Sequence, residues 1–357
     1  MEKRQVVEAL FLYPNDSSFT RVDENILGQI MPVTSICLRQ SEGKWTYLRR
    51  LCSIFPAVLK HSNAGLCLCW FADYHAFVMV LAAKLLKRKS IVFIGGYDAV
   101  YYPEFAYGVY HRALRKFCAV YALKHCDLII ANHEALLSSE NTYYNPGGHP
   151  EGVFKLIPRL KTPAVTVYNS ITDDAPTVIN LKRKQQILSV GGTARPEDFY
   201  NKGYDMLLHA VKAFPGWQFM IVGIDKKWWD TLEQRHALSA MPNLKIHPKL
   251  THKEVLDLMN ESDIYVQASI SEGMPNALIE AMMYGCKALG SNVAGIPYII
   301  GDNGKIIGER KSTALIEGLR ELMTKDVDRE AIAQDIRARF SVQNRQKGLR
   351  KAIKLLG

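Results

Sequence analysis

Short runs of branched and aromatic residues recur along this chain, each separated from the next by a stretch long enough for one helix, and the rhythm restarts once. In the first half the runs are Val6–Tyr13, Thr34–Leu38, Leu66–Phe71, Ile91–Ile94, Leu128–Ala131 and Val165–Tyr168. They are nearly continuous in apolar residues rather than alternating, which suits parallel strands covered by helices on both faces. After a polar, Pro-containing stretch, Asn169 to Lys184, the pattern begins again with Ile187–Val190, Gln218–Val222, Leu244–His247, Ile264–Gln267 and Lys287–Leu289. An α/β chain follows, with two Rossmann-like parallel-sheet domains joined near residues 169–185. Ligands collect at the carboxyl ends of strands in open parallel sheets, so two such domains facing a central cleft are expected. In the second half the loops at those ends are Gly191-Gly192-Thr193, Gly223-Ile224-Asp225, Pro248-Lys249 and Ser269 through Asn276.

A chain of 357 residues, 48% hydrophobic, can fill two ordinary cores. The longest apolar stretch, Ala64 to Leu86, is broken by Asp73 and His75 and reads as a strand followed by a helix from Tyr74, not a membrane span. The N-terminus runs almost directly into the first strand with no leader-like pattern, so a cytoplasmic location is expected. Seven cysteines without a CxxC pair read as reduced and buried.

The net charge of +10 is uneven: Arg112, Arg115, Lys116 and Lys124 share a segment without an acid, and seven basic residues occupy Ile336–Gly357 with no acid. Such faces suit anionic partners. No zinc-finger spacing or aromatic-basic module supports nucleic acid, which leaves phosphorylated small molecules or an anionic membrane surface contacted through Arg112, Arg115 and Lys116. A solvated basic surface without a partner is the plain alternative.

The most informative segment is Ser271-Glu272-Gly273-Met274-Pro275-Asn276-Ala277-Leu278-Ile279-Glu280-Ala281-Met282. It predicts a helix starting near Pro275 and stopping at Gly285. First-turn amides and the helix dipole make a site for a diphosphate, and Glu272 and Glu280 offer carboxylates to sugar hydroxyls. Lys202 stands where a helix should start, a poor place for a cation unless an anion sits there.

These residues closely resemble the donor-site signature of glycosyltransferase family 4, whose group 1 type enzymes have the GT-B fold and transfer sugars with retention of configuration. Lys202-Gly203 after Gly191-Gly192, Ser262-Asp263, Gly295-Ile296-Pro297 and Tyr168-Asn169 stand in the order that family shows, across most of residues 127–355. The resemblance implies an N-terminal acceptor-binding domain over 1–170, a nucleotide-sugar-binding domain over 171–338, and a terminal helix, 339–357, returning to the first domain. It implies that Glu272 meets the donor sugar, Glu280 holds the ribose and Lys202 compensates the diphosphate. Gly191, Gly192, Arg195, Gly273, Met274, Pro275, Asn276 and His247 complete the expected donor set. Arg195 is offset from the family's usual basic position, now Gly192, and His247, near the base, has a structural reading as well. Tyr298 stands where the family often has Glu.

The first half departs further from the family. Pro14-Asn15-Asp16-Ser17-Ser18 replaces a Gly-Gly loop, so Ser17 and Ser18 are candidates to bind the acceptor through amides and hydroxyls. Where many members carry a histidine, this chain has Gly95-Gly96-Tyr97-Asp98. Asp98 is therefore a candidate catalytic hydrogen-bond acceptor or a turn residue, and Tyr97 a candidate acceptor-pocket wall.

The expected activity is transfer from a nucleoside-diphosphate sugar, UDP favoured over GDP, to a hydroxyl of a glycan or lipid-linked acceptor, in polysaccharide or glycoconjugate biosynthesis. No metal or other cofactor is expected. A peripheral position on the inner face of the membrane is a further expectation. The alternatives are a same-fold nucleotide-sugar epimerase or phosphorylase, and a non-catalytic partner-binding subunit.

Overall fold

A computed structural model describes residues 8–61, 64–171 and 179–356. Val6 and Val7 of the first predicted strand, and residues 172–178 of the predicted connector, lie outside them. The chain divides into two compact units, one made of Met1–Ser139, Pro150–Asp173 and Phe340–Gly357, the other of Glu140–His149 and Asp174–Arg339.

The first unit holds a six-stranded parallel sheet in the order Val33–Cys37, Glu8–Tyr13, Ala64–Trp70, Lys89–Ile94, Leu128–Ala131, Ala164–Thr166. Because side chains alternate across a strand, each strand feeds two cores. Leu10, Leu12, Cys67, Cys69, Val92 and Ile94 point to the side covered by the helices Lys44–Lys60, Tyr74–Leu85 and Ala113–His125. Ala9, Phe11, Leu66, Leu68, Trp70, Ile91 and Phe93 point to the side covered by Ser18–Ile30 and the C-terminal helix Val342–Lys354. That last helix is capped by Ser341 and packs along Ser18–Ile30, and a Cβ on Gly348 would stand 2.7 Å from Val167.

The second unit also has a six-stranded parallel sheet, ordered Leu244–His247, Gln218–Ile224, Lys184–Thr193, Ser262–Gln267, Lys287–Ser291, Gly304–Ile307. The edge strand Gly304–Ile307 is absent from the sequence reading, since Gly304 and Lys305 leave only two apolar residues to announce it. A Cβ on Gly304 would lie 2.3 Å from the Ala288 carbonyl, so glycine is what lets this edge pair closely. The segment Glu140–His149, part of the first half by sequence, belongs to the second unit. It is fastened there by Asn141 Nδ2 donating to the Ile270 carbonyl at 2.7 Å and by the Tyr143 hydroxyl donating to the Ala268 carbonyl at 3.3 Å.

Among the described residues no helix is long and apolar enough to cross a membrane. All seven cysteines are free; Cys67, Cys69, Cys118, Cys126 and Cys286 are buried, whereas Cys37 is half-buried and Cys52 is exposed on the outer side of Lys44–Lys60, against the expectation that all are interior.

Candidate functional site

In the second sheet the chain runs outward in both directions from the neighbouring strands Lys184–Thr193 and Ser262–Gln267, the arrangement at which open α/β sheets gather ligands. The loops beyond their carboxyl ends carry Gly191, Lys202 and Glu272.

Lys202 closes the short helix Pro196–Asn201, and Gly203 follows with φ +72°. A Cβ on Gly203 would meet the Ala268 carbonyl oxygen at 2.3 Å, so only glycine combines this left-handed turn with so close an approach. The Ile270 amide donates to the Asn201 carbonyl at 2.7 Å, joining the same two loops a second time. Lys202 then folds back over Gly191, where a Cβ would stand 3.2 Å from the lysine Cδ and Cε. The buried Tyr204 hydroxyl donates to the Gly191 carbonyl at 3.1 Å, and burial raises its pKa, keeping the proton in place for that bond.

Glu272 is held on one oxygen. Its Oε1 accepts from Lys202 Nζ at 2.6 Å, Ser269 Oγ at 2.9 Å and Gln267 Nε2 at 3.0 Å. Gln267 is itself braced by the Tyr265 hydroxyl, which donates to its Oε1 at 3.2 Å. Three donors on one oxygen fix the carboxylate plane and aim the second oxygen.

The loop then passes Gly273, whose carbonyl accepts from the Gly295 amide at 2.9 Å, and the buried Met274. The helix spans Asn276–Met283 with Pro275 as its N-cap, one position earlier than a first-turn role. It ends before Gly285, which has φ +76°. As in any α-helix, its first-turn amides lack an intrahelical carbonyl. Glu280 sits just over one turn in, its side chain 13% exposed, with His252 Nε2 3.0 Å from its Oε1.

Beside this constellation lies a cavity of ≈ 660 Å³ lined by Val190, Gly192, Thr193, Val222, Asp225 and Lys249, among others. It opens at the ends of three adjacent strands, so three of the four loops singled out by sequence border it. His247 precedes its lining residue Pro248, and the His247 Nε2 is buried without a hydrogen-bond partner among the described residues. Arg195 is engaged locally: its Nη2 meets Asp198 Oδ1 at 3.0 Å and its amide donates to Asp198 Oδ2 at 2.9 Å. No group of three or more His, Cys, Asp or Glu among the described residues is placed to hold a metal ion.

The sequence singles out neither Gln267 nor His252 as a site residue, and Ser269 only as the start of a loop. Gln267 and Ser269 flank Ala268 at the end of a strand that was read, so their position was available; that both turn towards Glu272 was not. His252 lies 28 residues from Glu280 and gives no local signal.

In the first unit the candidates separate. Asp98 is fully buried, Oδ1 accepting from the Gly95 and Gly96 amides at 3.0 and 3.1 Å and Oδ2 from the Ala72 amide at 3.0 Å. Burial raises its pKa against the pull of those amides. It is therefore a turn residue that pins two loops, not a catalytic group open to substrate, which corrects the catalytic expectation. Ser17 caps Ser18–Ile30, exchanging hydrogen bonds with Thr20, while Ser18 is exposed at the helix start. Tyr97 is half-buried, its ring 4.9 Å from the Arg115 guanidinium and its hydroxyl accepting from Arg115 Nη1 at 3.1 Å.

Arg115 is also ion-paired with Asp73, Nε to Oδ1 at 2.9 Å with a second contact through Nη2. Asp73 caps the neighbouring helix and is 4% exposed, and such a carboxylate needs a cation. Arg115 is thus withdrawn from the cations expected to meet an anionic surface; Arg112 and Lys116 are exposed.

Residues 178–339 match the family model described as glycosyl transferases group 1. Among curated proteins, a phosphatidylinositol N-acetylglucosaminyltransferase subunit of Homo sapiens is 26% identical over 188 residues, 52% of this chain and 36% of that protein. The Arabidopsis thaliana protein of the same name is 21% identical over 257 residues, 70% of this chain and 53% of that protein. The chain thus spans about half or less of the length of these relatives. Among solved structures, Anabaena Alr3699/HepE in complex with UDP and glucose superposes with TM-score 0.69 at 15% identity, covering 98% of this chain and 99% of that one. Sucrose-phosphate synthase from Thermosynechococcus elongatus does so with TM-score 0.63 at 14% identity, over 98% and 99%. With its two six-stranded parallel sheets, this chain is built on the GT-B fold seen in glycosyltransferase structures, and its residues 178–339 match the glycosyl transferases group 1 model.

Proposed function

We propose that this protein is a retaining glycosyltransferase of the family 4 type, which moves a sugar from a nucleoside-diphosphate donor to a hydroxyl of a glycan or lipid-linked acceptor. The observation that carries the reading is Glu272, held on one oxygen by Lys202, Gln267 and Ser269 at the entrance to the Asn276–Met283 helix. In this reading the helix N-terminus and Lys202 receive the diphosphate, the ≈ 660 Å³ cavity receives base and ribose, and Glu280 holds the ribose hydroxyls. Glu272 then meets the donor sugar.

The bond from the anomeric carbon to the diphosphate breaks while one to the acceptor oxygen forms on the same face, and the acceptor's proton passes to the departing diphosphate. Lys202 stabilises the charge that builds on that leaving group, so no metal is required. UDP is the favoured nucleotide, supported by solved neighbours in complex with UDP and with UDP-glucose. A lipid-linked acceptor is supported by the relatives' names, which contain phosphatidylinositol. The first unit binds the acceptor, and the protein works at the cytoplasmic face of a membrane, with Arg112 and Lys116 towards the lipid.

The test is thermal stabilisation by UDP, GDP, ADP and CMP, repeated on Glu280→Ala. At a hundred times its dissociation constant one nucleotide adds about 2.7 kcal/mol. UDP stabilising the wild type but not the variant is the expected result. No response to any nucleotide would remove the donor site and bring the non-catalytic reading forward.

A further inference from the structure

Helices Lys44–Lys60, Tyr74–Leu85 and Ala113–His125 form one layer on the first sheet, the middle helix packing against both others. Across their 17, 12 and 13 residues there is not one Asp or Glu. This layer also carries seven of the fourteen exposed large hydrophobic side chains found among the described residues.

Their arrangement on Lys44–Lys60 is regular. Trp45, Leu48, Cys52, Phe55 and Leu59 are all exposed, Trp45 at 84%. At about 100° per residue these five fall within roughly 80° of arc, beside the buried stripe of Tyr47, Ile54 and Val58. The helix thus has two apolar faces, one packed on the core and one bare. Leu114 and Phe117 are exposed on the third helix, with the Phe117 ring tilted against Phe77 of the middle one at 5.9 Å.

Cations flank this surface without counter-charges from its own helices: Lys44, Arg49, Lys60, Lys116 and Lys124. At the C-terminal end of the middle helix, Lys84, Lys87, Arg88 and Lys89 line a cavity of ≈ 340 Å³ with His125 and Asp127. Asp127 pairs with Lys89 at 2.9 Å and Arg88 donates to the His61 carbonyl at 2.8 Å, which leaves Lys84 and Lys87 as its cations without an acid among the described residues.

We propose that this three-helix face docks on an anionic phospholipid bilayer, with the Trp45–Leu59 stripe entering the interface and the flanking cations meeting lipid phosphates. Apolar side chains ringed by lysine and arginine, with acids absent from all three helices, match the two contributions that hold a helix at such an interface: apolar burial and attraction to anionic headgroups. The inference deepens the peripheral-membrane part of the function proposed above and rests on it. It also moves the main contact from Arg112–Lys116 to Lys44–Lys60.

Flotation of the full chain with vesicles of phosphatidylcholine alone, and of phosphatidylcholine with phosphatidylglycerol, tests it. The expected preference for the anionic vesicles is at least about tenfold, declining as salt is raised. A Trp45→Ser/Phe55→Ser variant should lose about tenfold to a hundredfold in binding. Arg49→Glu/Lys116→Glu should lose the preference for anionic lipid. Melting temperature and UDP stabilisation are recorded on the same samples, so misfolding and failure of the donor reading are each visible separately. Equal binding to both vesicles, or unchanged binding by both variants, overturns the proposal. A folded wild type that responds to UDP but floats with neither vesicle also overturns it, and leaves a protein partner as the occupant of this face.

Discussion

Lys202 Nζ lies 2.6 Å from Glu272 Oε1, joining a residue at a helix end to a loop 70 positions later. Both side chains are largely withdrawn from water, 19% and 15% exposed. In the function proposed above, an incoming diphosphate would draw the lysine while the sugar meets the carboxylate. Lys202→Ala should reduce kcat by about 10²–10³-fold, the usual effect of removing one charge-stabilising donor. Gln267 and Ser269 still donate to Glu272, so the variant should fold. Transfer assayed alongside a melting curve checks both statements; a variant with wild-type turnover would take Lys202 out of the chemistry.

Gln267 is 4% exposed and places its Nε2 3.0 Å from Glu272 Oε1. Gln267→Glu keeps the shape but sets a carboxylate where a donor stood. Two adjacent carboxylates repel, so Glu272 is pushed from the place where Gln267 holds it. Gln267→Glu should therefore lower kcat by more than loss of the bond alone. Gln267→Met, which removes the bond without adding charge, should lower kcat less. If both variants keep the wild-type kcat, Gln267 does not position Glu272.

Gly203 shows which part of the site was legible in the sequence. Lys202-Gly203 was recognisable as a pair, and so was the Ser271–Met282 segment, because both are local patterns. What makes Gly203 indispensable, φ +72° and an Ala268 carbonyl 2.3 Å from the Cβ it lacks, is a tertiary fact. Gly203→Ala should cost more than about 1–3 kcal/mol through strain and clash together, and weaken UDP binding by separating the two loops. Calorimetric unfolding with a nucleotide titration reads both. The strands of the two six-stranded sheets announce themselves by apolar runs, except Gly304–Ile307. The turn reading of Asp98 holds and the membrane-facing reading of Arg115 does not, for a common reason: a charged residue in a loop or on a helix face looks available until the amides of Gly95, Gly96 and Ala72, or the carboxylate of Asp73, are seen against it.

Arg345 and Asp23, 322 residues apart, form a bidentate ion pair with side chains 2% and 1% exposed. Arg345 Nη1 also donates to the Val167 and Tyr168 carbonyls at 3.0 and 2.7 Å, and Trp70 Nε1 donates to Asp23 Oδ2 at 2.8 Å. This fastens the C-terminal helix into the first unit. Arg345→Met should destabilise by about 3–5 kcal/mol, because it leaves a buried carboxylate without its cation. Adding Asp23→Leu should recover part of that loss. Urea unfolding of the single and double variants decides; additive losses would deny the coupling.

His75 is fully buried between two partners, its Nδ1 3.1 Å from the Tyr47 hydroxyl and its Nε2 2.6 Å from the Trp70 carbonyl. One neutral tautomer satisfies both, with Nε2–H donating and Nδ1 accepting. Burial lowers its pKa from the ordinary histidine value of 6.5, with Asp73 opposing and Arg115 assisting that shift. The folded state therefore binds the proton less readily than the unfolded chain. The stability His75 contributes is complete above pH 6.5 and is lost as pH falls from there towards the lower folded value. One such group gives a slope of at most about 1.4 kcal/mol per pH unit. His133 and His236 shift in the same direction, again through burial, so the wild-type slope has several sources. His75→Phe should start less stable, with Tyr47 and the Trp70 carbonyl left unpaired, yet lose less on acidification from about pH 7 to about pH 5. Denaturant unfolding at several pH values gives both quantities, and an unchanged slope in the variant would show that the His75 proton is not part of the acid response.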